Sequence, residues 1–168
     1  MDTTDPGADR RYPARPIAGV GAAILVRPAD AAVVALPDGL PEPWGVVLVK
    51  RRFEPLAGHW SLPGGLLELG ETLTAGVARE MEEETGLVVD VGEVLEVFDR
   101  ISLDDDQRVQ HHYVLVDYLC RPTGGSLRAA SDVSEVQVVA PGDLAVYGVS
   151  RLVEQVVAKA LASVDRRC

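Results

Sequence analysis

The chain has 168 residues, 47% of them apolar, and 26 acidic residues against 16 Lys and Arg, for a formal net charge of −10. That is enough apolar chain for one compact core, and too much negative charge for a DNA- or RNA-coating surface, which needs clustered Lys and Arg. Cys120 and Cys168 are its two cysteines, too few for a disulfide scaffold or a zinc ribbon, so free thiols and a cytoplasmic location are expected.

Residues 1–16, with Pro6, Gly7, Pro13 and Pro16 among charges, lack periodicity and read as a flexible N-terminal tail, leaving 17–168 as a single domain. Met1 to Asp5 lacks the basic-then-apolar order of a secretory signal. Ile17 to Val26 reads as a strand and, as the longest apolar run, is too short to cross a bilayer. Gly45 to Lys50 reads as a second strand after a Pro/Gly/Asp loop. Thr72 to Thr85 is rich in helix formers and stops at Gly86. Leu87 to Ile101 and Val109 to Arg121 read as long strands around an acidic turn, Asp104 to Asp106. Thr123-Gly124-Gly125 reads as a further turn and Glu135 to Val139 as a short strand. Leu152, Val153, Val156, Val157, Ala160, Leu161 and Val164 form an apolar stripe at helical spacing, with Ser150 as the expected N-cap. Core packing is the expected use of that stripe.

The acids are unevenly distributed. Residues 68 to 106 hold 13 of the 26, with Arg79 and Arg100 as the bases among them. On the predicted helix, Glu80, Glu83 and Glu84 are related by three- and four-residue spacing and crowd one face. Like charges so placed destabilise a helix by about 0.2–0.5 kcal/mol per pair, so a cationic partner is expected. Arg79, one turn before Glu83, can orient it, but one guanidinium cannot neutralise three carboxylates. Oxygen ligands without His or Cys suit Mg²⁺, or Mn²⁺, better than zinc. Mg²⁺ keeps water and accepts phosphate, so an open site on one rigid helix points to phosphate chemistry. Ahead of the helix, Leu62-Pro63-Gly64-Gly65 is read as a sharp turn that approaches a ligand closely, with a Gly carbonyl available to the metal.

Gly65 to Leu87 resembles the Nudix box: Gly, five residues, Glu, seven residues, Arg-Glu, a bulky apolar residue, any residue, Glu-Glu, any residue, Gly, an apolar residue. Gly65, Glu71, Arg79, Glu80, Met81, Glu83, Glu84, Gly86 and Leu87 match every fixed position, and the preceding Trp60-Ser61-Leu62-Pro63-Gly64 is also typical. The resemblance implies an α/β/α sandwich around a mixed β-sheet and hydrolysis of a nucleoside diphosphate linked to another moiety. Carried over by position, Glu80, Glu83 and Glu84 would ligate metal with a carbonyl of Gly64 or Gly65. Glu83 or Glu84, or a later carboxylate, would activate water. Glu135 is the expected later carboxylate, with Asp132 as its substitute. Arg51, Arg52, Arg27 and Arg100 are the candidate substrate-binding cations.

The segments Arg15-Pro16-Ile17, Gly19-Val20-Gly21 and Val97-Phe98-Asp99-Arg100 resemble ADP-ribose pyrophosphatase-like members, although Ser102 stands where many of these carry Pro. A (deoxy)nucleoside triphosphate pyrophosphohydrolase is the alternative, and a non-catalytic nucleotide sensor the alternative from another class. The expected partner is a small nucleotide, without a nucleic-acid or membrane surface, and a homodimer is left open. His111 and His112, adjacent on a strand, point to opposite faces and cannot share a metal. Cys120, in an apolar strand, reads as inert packing.

Overall fold

The computed structural model describes residues 10–53, 56–130 and 132–166. Its strands are β1 (Ile17–Val26), β2 (Gly45–Arg51), β3 (Trp60–Ser61), β4 (Gly64–Leu66), β5 (Leu87–Leu103), β6 (Val109–Gly125) and β7 (Val133–Val139). Helix α1 (Leu73–Thr85) lies between β4 and β5, and α2 (Arg151–Asp165) follows β7. Short 3-10 helices cover Pro28–Ala32 and Pro141–Tyr147.

β1 is central and buried from Gly19 to Val26, as its apolar run, interrupted only by Gly19 and Gly21, anticipates for a strand covered on both faces. It runs parallel to β6, from Ile17↔Tyr113 to Ile24↔Cys120, whereas the other named pairings are antiparallel. The sheet is therefore mixed. β2 meets β1 only at Leu25↔Val46 and Val26↔Gly45, then diverges from it. β4 occupies the vacated edge through Gly19↔Leu66, Val20↔Gly65 and Gly21↔Gly64, and Ala22 donates its N–H to Pro63 O where the two strands part.

Strand alternation sends β1 side chains to two cores. Val20, Ala22, Ile24 and Val26 pack with Val77 and Met81 of α1, while Ala23 and Leu25 pack with Val156, Val157 and Ala160 of α2. One helix layer covers each face of the sheet, giving the expected α/β/α sandwich. Truncating a fully buried Ile24 or Leu25 to Ala would cost about 2–5 kcal/mol.

Local signals set the helix ends. Thr72 Oγ1 accepts the Ala75 N–H at 3.2 Å, Ser150 Oγ accepts that of Val153 at 3.4 Å, and Gly86 stops α1 with φ +71°. Two turn expectations are corrected. Gly64 and Gly65 belong to β4, because β1 needs an edge partner where β2 leaves it. Thr123-Gly124-Gly125 continues β6, whose register carries on through Val88↔Gly124 and Leu87↔Gly125. The segment before β1 is tied to the β5–β6 hairpin, with Tyr12 Oη donating to Asp104 Oδ2 at 2.8 Å and Arg108 lying over the Tyr12 ring. No helix among the described residues is long and apolar enough to cross a membrane.

Candidate active site

α1 buries Val77, Met81 and Thr85 against the sheet, which leaves Glu80 and Glu84 half-buried beside β4 and Glu83 exposed. Arg79 organises the acids around it. Its Nε and Nη2 donate to the two oxygens of Glu71 at 2.8 and 3.0 Å, and its Nη1 to Glu80 Oε1 at 2.8 Å and Glu83 Oε2 at 3.2 Å. Nη2 also donates to Leu66 O at 3.0 Å. The two-pronged grip on Glu71 uses the planar fork that distinguishes Arg from Lys. Arg79 holds the Glu71 carboxyl down at about 2 and is itself kept charged.

β4 supplies the opposite wall. The Glu80 carboxylate lies across Gly65, where any Cβ would collide with it, and Gly64 has its own Cβ position blocked by Val20 O. Gly64 N–H donates to Glu84 Oε2 at 2.9 Å. The two glycines thus serve close approach between helix and strand.

The acids differ sharply in proton affinity. Burial pushes Glu84 up to about 7, reinforced by the negative charges of Glu80 and Asp132 and opposed by the Gly64 N–H and by Arg51. Burial also raises Glu80, against the pull of Arg79. Two desolvated carboxylates at the helix edge form a site that gains from a cation.

The donor set fits an open, oxygen-liganded ion. Among the described residues, Oε2 of Glu80, Oε1 of Glu83 and Oε1 of Glu84 accept no protein hydrogen bond, so each acid keeps one oxygen available. No three His, Cys, Asp or Glu side chains among those residues already converge as a metal-binding group, so an ion would have to draw the free oxygens of the helix acids together, with water and phosphate completing its shell. Glu80, Glu83 and Glu84 would hold such an ion.

The remaining predicted residues separate. Arg51 acts on Glu84 from the end of β2, and Asp132 acts on it from the loop before β7. Arg52 braces that loop, its N–H donating to Asp132 O at 2.8 Å and its Nη2 to Val133 O at 3.1 Å. Glu135 is exposed and paired with Lys50, Nζ to Oε1 at 2.8 Å. Arg27 pairs with Asp30 and lies over Trp44 at the far end of β1. Arg100 is exposed on β5, opposite Tyr113. His111 Nδ1 is 2.9 Å from Ser102 Oγ, and burial pushes the Cys120 thiol up to about 12.

Two residues near the site carried no sequence signal. Arg128 shares a groove with Arg79, Glu82 and Glu83, its backbone N–H bonded to Thr85 O at 2.9 Å beyond the end of α1. Asp117 is buried within β6. Neither has a motif around it; the pairing of distant strands places both.

Residues 26–160 match the family model described as the NUDIX domain. An "ADP-ribose pyrophosphatase" of Methanocaldococcus jannaschii is 38% identical over 92 residues, which cover 55% of this chain and 52% of the relative. The "8-oxo-dGDP phosphatase NUDT18" of Mus musculus is 30% identical over 65% of this chain and 33% of its own. The match thus spans about half of the first relative and a third of the second. The crystal structure of a MutT NUDIX hydrolase from Burkholderia pseudomallei shares 27% identity and a TM-score of 0.62, covering 86% of this chain and 98% of that one. With the complete box folded as described, the chain belongs to the NUDIX family.

Proposed function

We propose that the protein is a divalent-metal-dependent pyrophosphohydrolase that cleaves the diphosphate linkage of a nucleoside diphosphate joined to another moiety, with an ADP-ribose-like substrate favoured. The observation that carries this reading is the trio Glu80, Glu83 and Glu84, each fixed through one oxygen by Arg79 or Gly64 and each keeping the other oxygen open. Mg²⁺, with Mn²⁺ as substitute, is the ion that chemistry suits. A bound ion would offset charge on the diphosphate oxygens and lower the pKa of the attacking water.

The chain's own groups account for the rest. Water attacks one phosphorus, the bridging P–O bond breaks, and a carboxylate takes the water proton. Glu83, Glu84 and the second-segment acids Glu135 and Asp132 are the candidates for that proton. Asp132 is favoured, since its charge is felt at Glu84 whereas Glu135 is held by Lys50. Arg51, whose charge acts on Glu84, would offset phosphate charge, while Arg79 holds Glu80 and Glu83 and the Gly64 N–H holds Glu84. From ADP-ribose the products would be AMP and ribose phosphate.

Hydrolysis of damaged nucleotides is the second reading, favoured by the name of the Mus musculus relative. A panel of nucleotides assayed with Mg²⁺ or Mn²⁺ decides between the two. ADP-ribose or a related nucleoside diphosphate sugar is expected to lead in kcat/KM with release of AMP, and a chelator to abolish turnover. A lead by a deoxynucleoside triphosphate with pyrophosphate release would install the second reading. Inactivity across the panel would remove both.

A further inference from the structure

Asp117 stands in the middle of β6 and is only 8% exposed. Among the described residues it makes no hydrogen bond or ion pair, and burial, reinforced by the negative charge of Glu96, pushes its carboxyl up to about 6. A buried carboxylate without a partner costs stability, so its presence asks for a use. Its oxygens are not sealed in, because no fully enclosed side-chain oxygen or nitrogen among those residues lacks a hydrogen-bond partner. Asp117 therefore looks into a narrow opening.

Register places that opening. Asp117 shares its face with Leu119, two residues along β6, and Leu119 packs in the core beneath α2. Its Cα partner on β1 is Gly21, and a Cβ at Gly21 would collide with Asp117 Oδ1. The carboxylate thus leans over the bare backbone of β1. On its other edge Gly21 pairs with Gly64, whose N–H fixes Glu84. Two strand spacings, about 10 Å, separate Asp117 from Gly64 along the sheet. A substrate whose phosphates sit at the β4 edge, where Gly64 meets Glu84, would reach Asp117 by laying its non-phosphate part along the α2 face of β4 and β1.

We propose that Asp117 is the positioning residue for the non-phosphate part of the substrate, taking paired hydrogen bonds from a ribose cis-diol or from the N–H edge of a base. This inference rests on the hydrolase reading for its substrate class and adds the group that recognises the substrate beyond its phosphates. The absence of a protein partner leaves both carboxylate oxygens for ligand donors. Lys159 of α2 is committed to Glu96, the neighbour of Asp117 on β5, and so does not neutralise Asp117 itself.

The test combines direct binding with kinetics. The α,β-methylene analogue of ADP-ribose, which resists hydrolysis, is titrated with Mg²⁺ into the parent protein and into Asp117→Asn and Asp117→Ser, with thermal midpoints confirming that each variant is folded. Hydrogen bonds to a charged acceptor predict that Kd, and KM for the cleavable substrate, rise about 10- to 100-fold in the variants, with the loss falling on KM more than on kcat. Two arms separate the sources of the donors: the analogue lacking the terminal ribose diol, and a guanine nucleotide against its hypoxanthine counterpart. The pair that the parent distinguishes and the variants do not is the one Asp117 reads. Parental Kd and KM in both folded variants would overturn the proposal while leaving the hydrolase reading intact. Asp117-dependent binding without any hydrolysis would overturn the hydrolase reading alone. A parent protein that binds neither the analogue nor any nucleotide would overturn both.

Discussion

The two faces of the sheet assemble their acids in different ways. Under α1, a single stretch from Gly64 to Glu84 supplies Glu71, Glu80, Glu83 and Glu84, the arginine that grips three of them, and the amide that holds the fourth. On the α2 face, Asp117 and the Lys50–Glu135 pair come from β6, β2 and β7, and Trp60 from β3 packs edge-on to Tyr147 beside them. Proton affinity follows the balance of burial and partner: Glu71, gripped by both prongs of Arg79, is held at about 2, burial outweighs the Arg79 contact at Glu80, and burial lifts Glu84 to about 7 and Asp117 to about 6. Chemistry that needs many charges in fixed relation is built locally on one helix. On the proposal above, selectivity would fall to residues that only the folded sheet unites.

The largest expected effect strikes the α1 face. Glu84→Gln and Glu80→Gln should each lower kcat by at least about two orders of magnitude, because neutral amides are poor ligands for a hard cation. Both variants should stay folded, since an amide oxygen at position 84 still accepts the Gly64 N–H and the buried charge is gone. Near-parental turnover in either variant would take that residue out of the metal shell and break the division of labour between the faces.

A smaller effect separates the two later acids. Asp132→Asn should depress kcat and shift the limb of the pH–rate profile that reports the general base, whereas Glu135→Gln, which removes an exposed ion pair with Lys50, should change both little. The reverse pattern would return water activation to Glu135. Unchanged profiles in both variants would assign it to the helix glutamates.

The smallest effect is on stability. Glu84 and Asp117 bind protons more tightly folded than unfolded, so what they contribute to stability is fully present below about pH 4 and is lost as pH rises through about 6 to 7. Glu71 has the opposite sign: its contribution is present above about pH 4.5 and disappears as pH falls toward 2. In the metal-free protein, Tm should therefore drop by several degrees between about pH 5.5 and 8, and Glu84→Gln should flatten part of that slope. A Tm independent of pH in this interval would show that Glu84 and Asp117 are not held in the desolvated setting described for them.

The sequence by itself determined whatever depends on near neighbours along the chain. Thr72 and Gly86 bound α1 because an N-cap oxygen and a left-handed C-terminal residue are local requirements, and the three-residue and four-residue spacing of Glu80, Glu83 and Glu84 follows from helix geometry alone. The same holds for the buried stripe of α2 and the run of apolar residues and glycine in β1. Only the tertiary structure decided what depends on register between distant segments. Gly64 and Gly65 read as a turn until the departure of β2 leaves β1 an edge to fill, and Thr123 to Gly125 read as a turn until β5 pairs along them. Glu135 is drawn to Lys50, 85 residues away, and Asp117 finds no hydrogen-bond or ion-pair partner among the described residues. Strand pairing carries no periodic signature of its partner, so these relations appear only once β1 lies between β4 and β6.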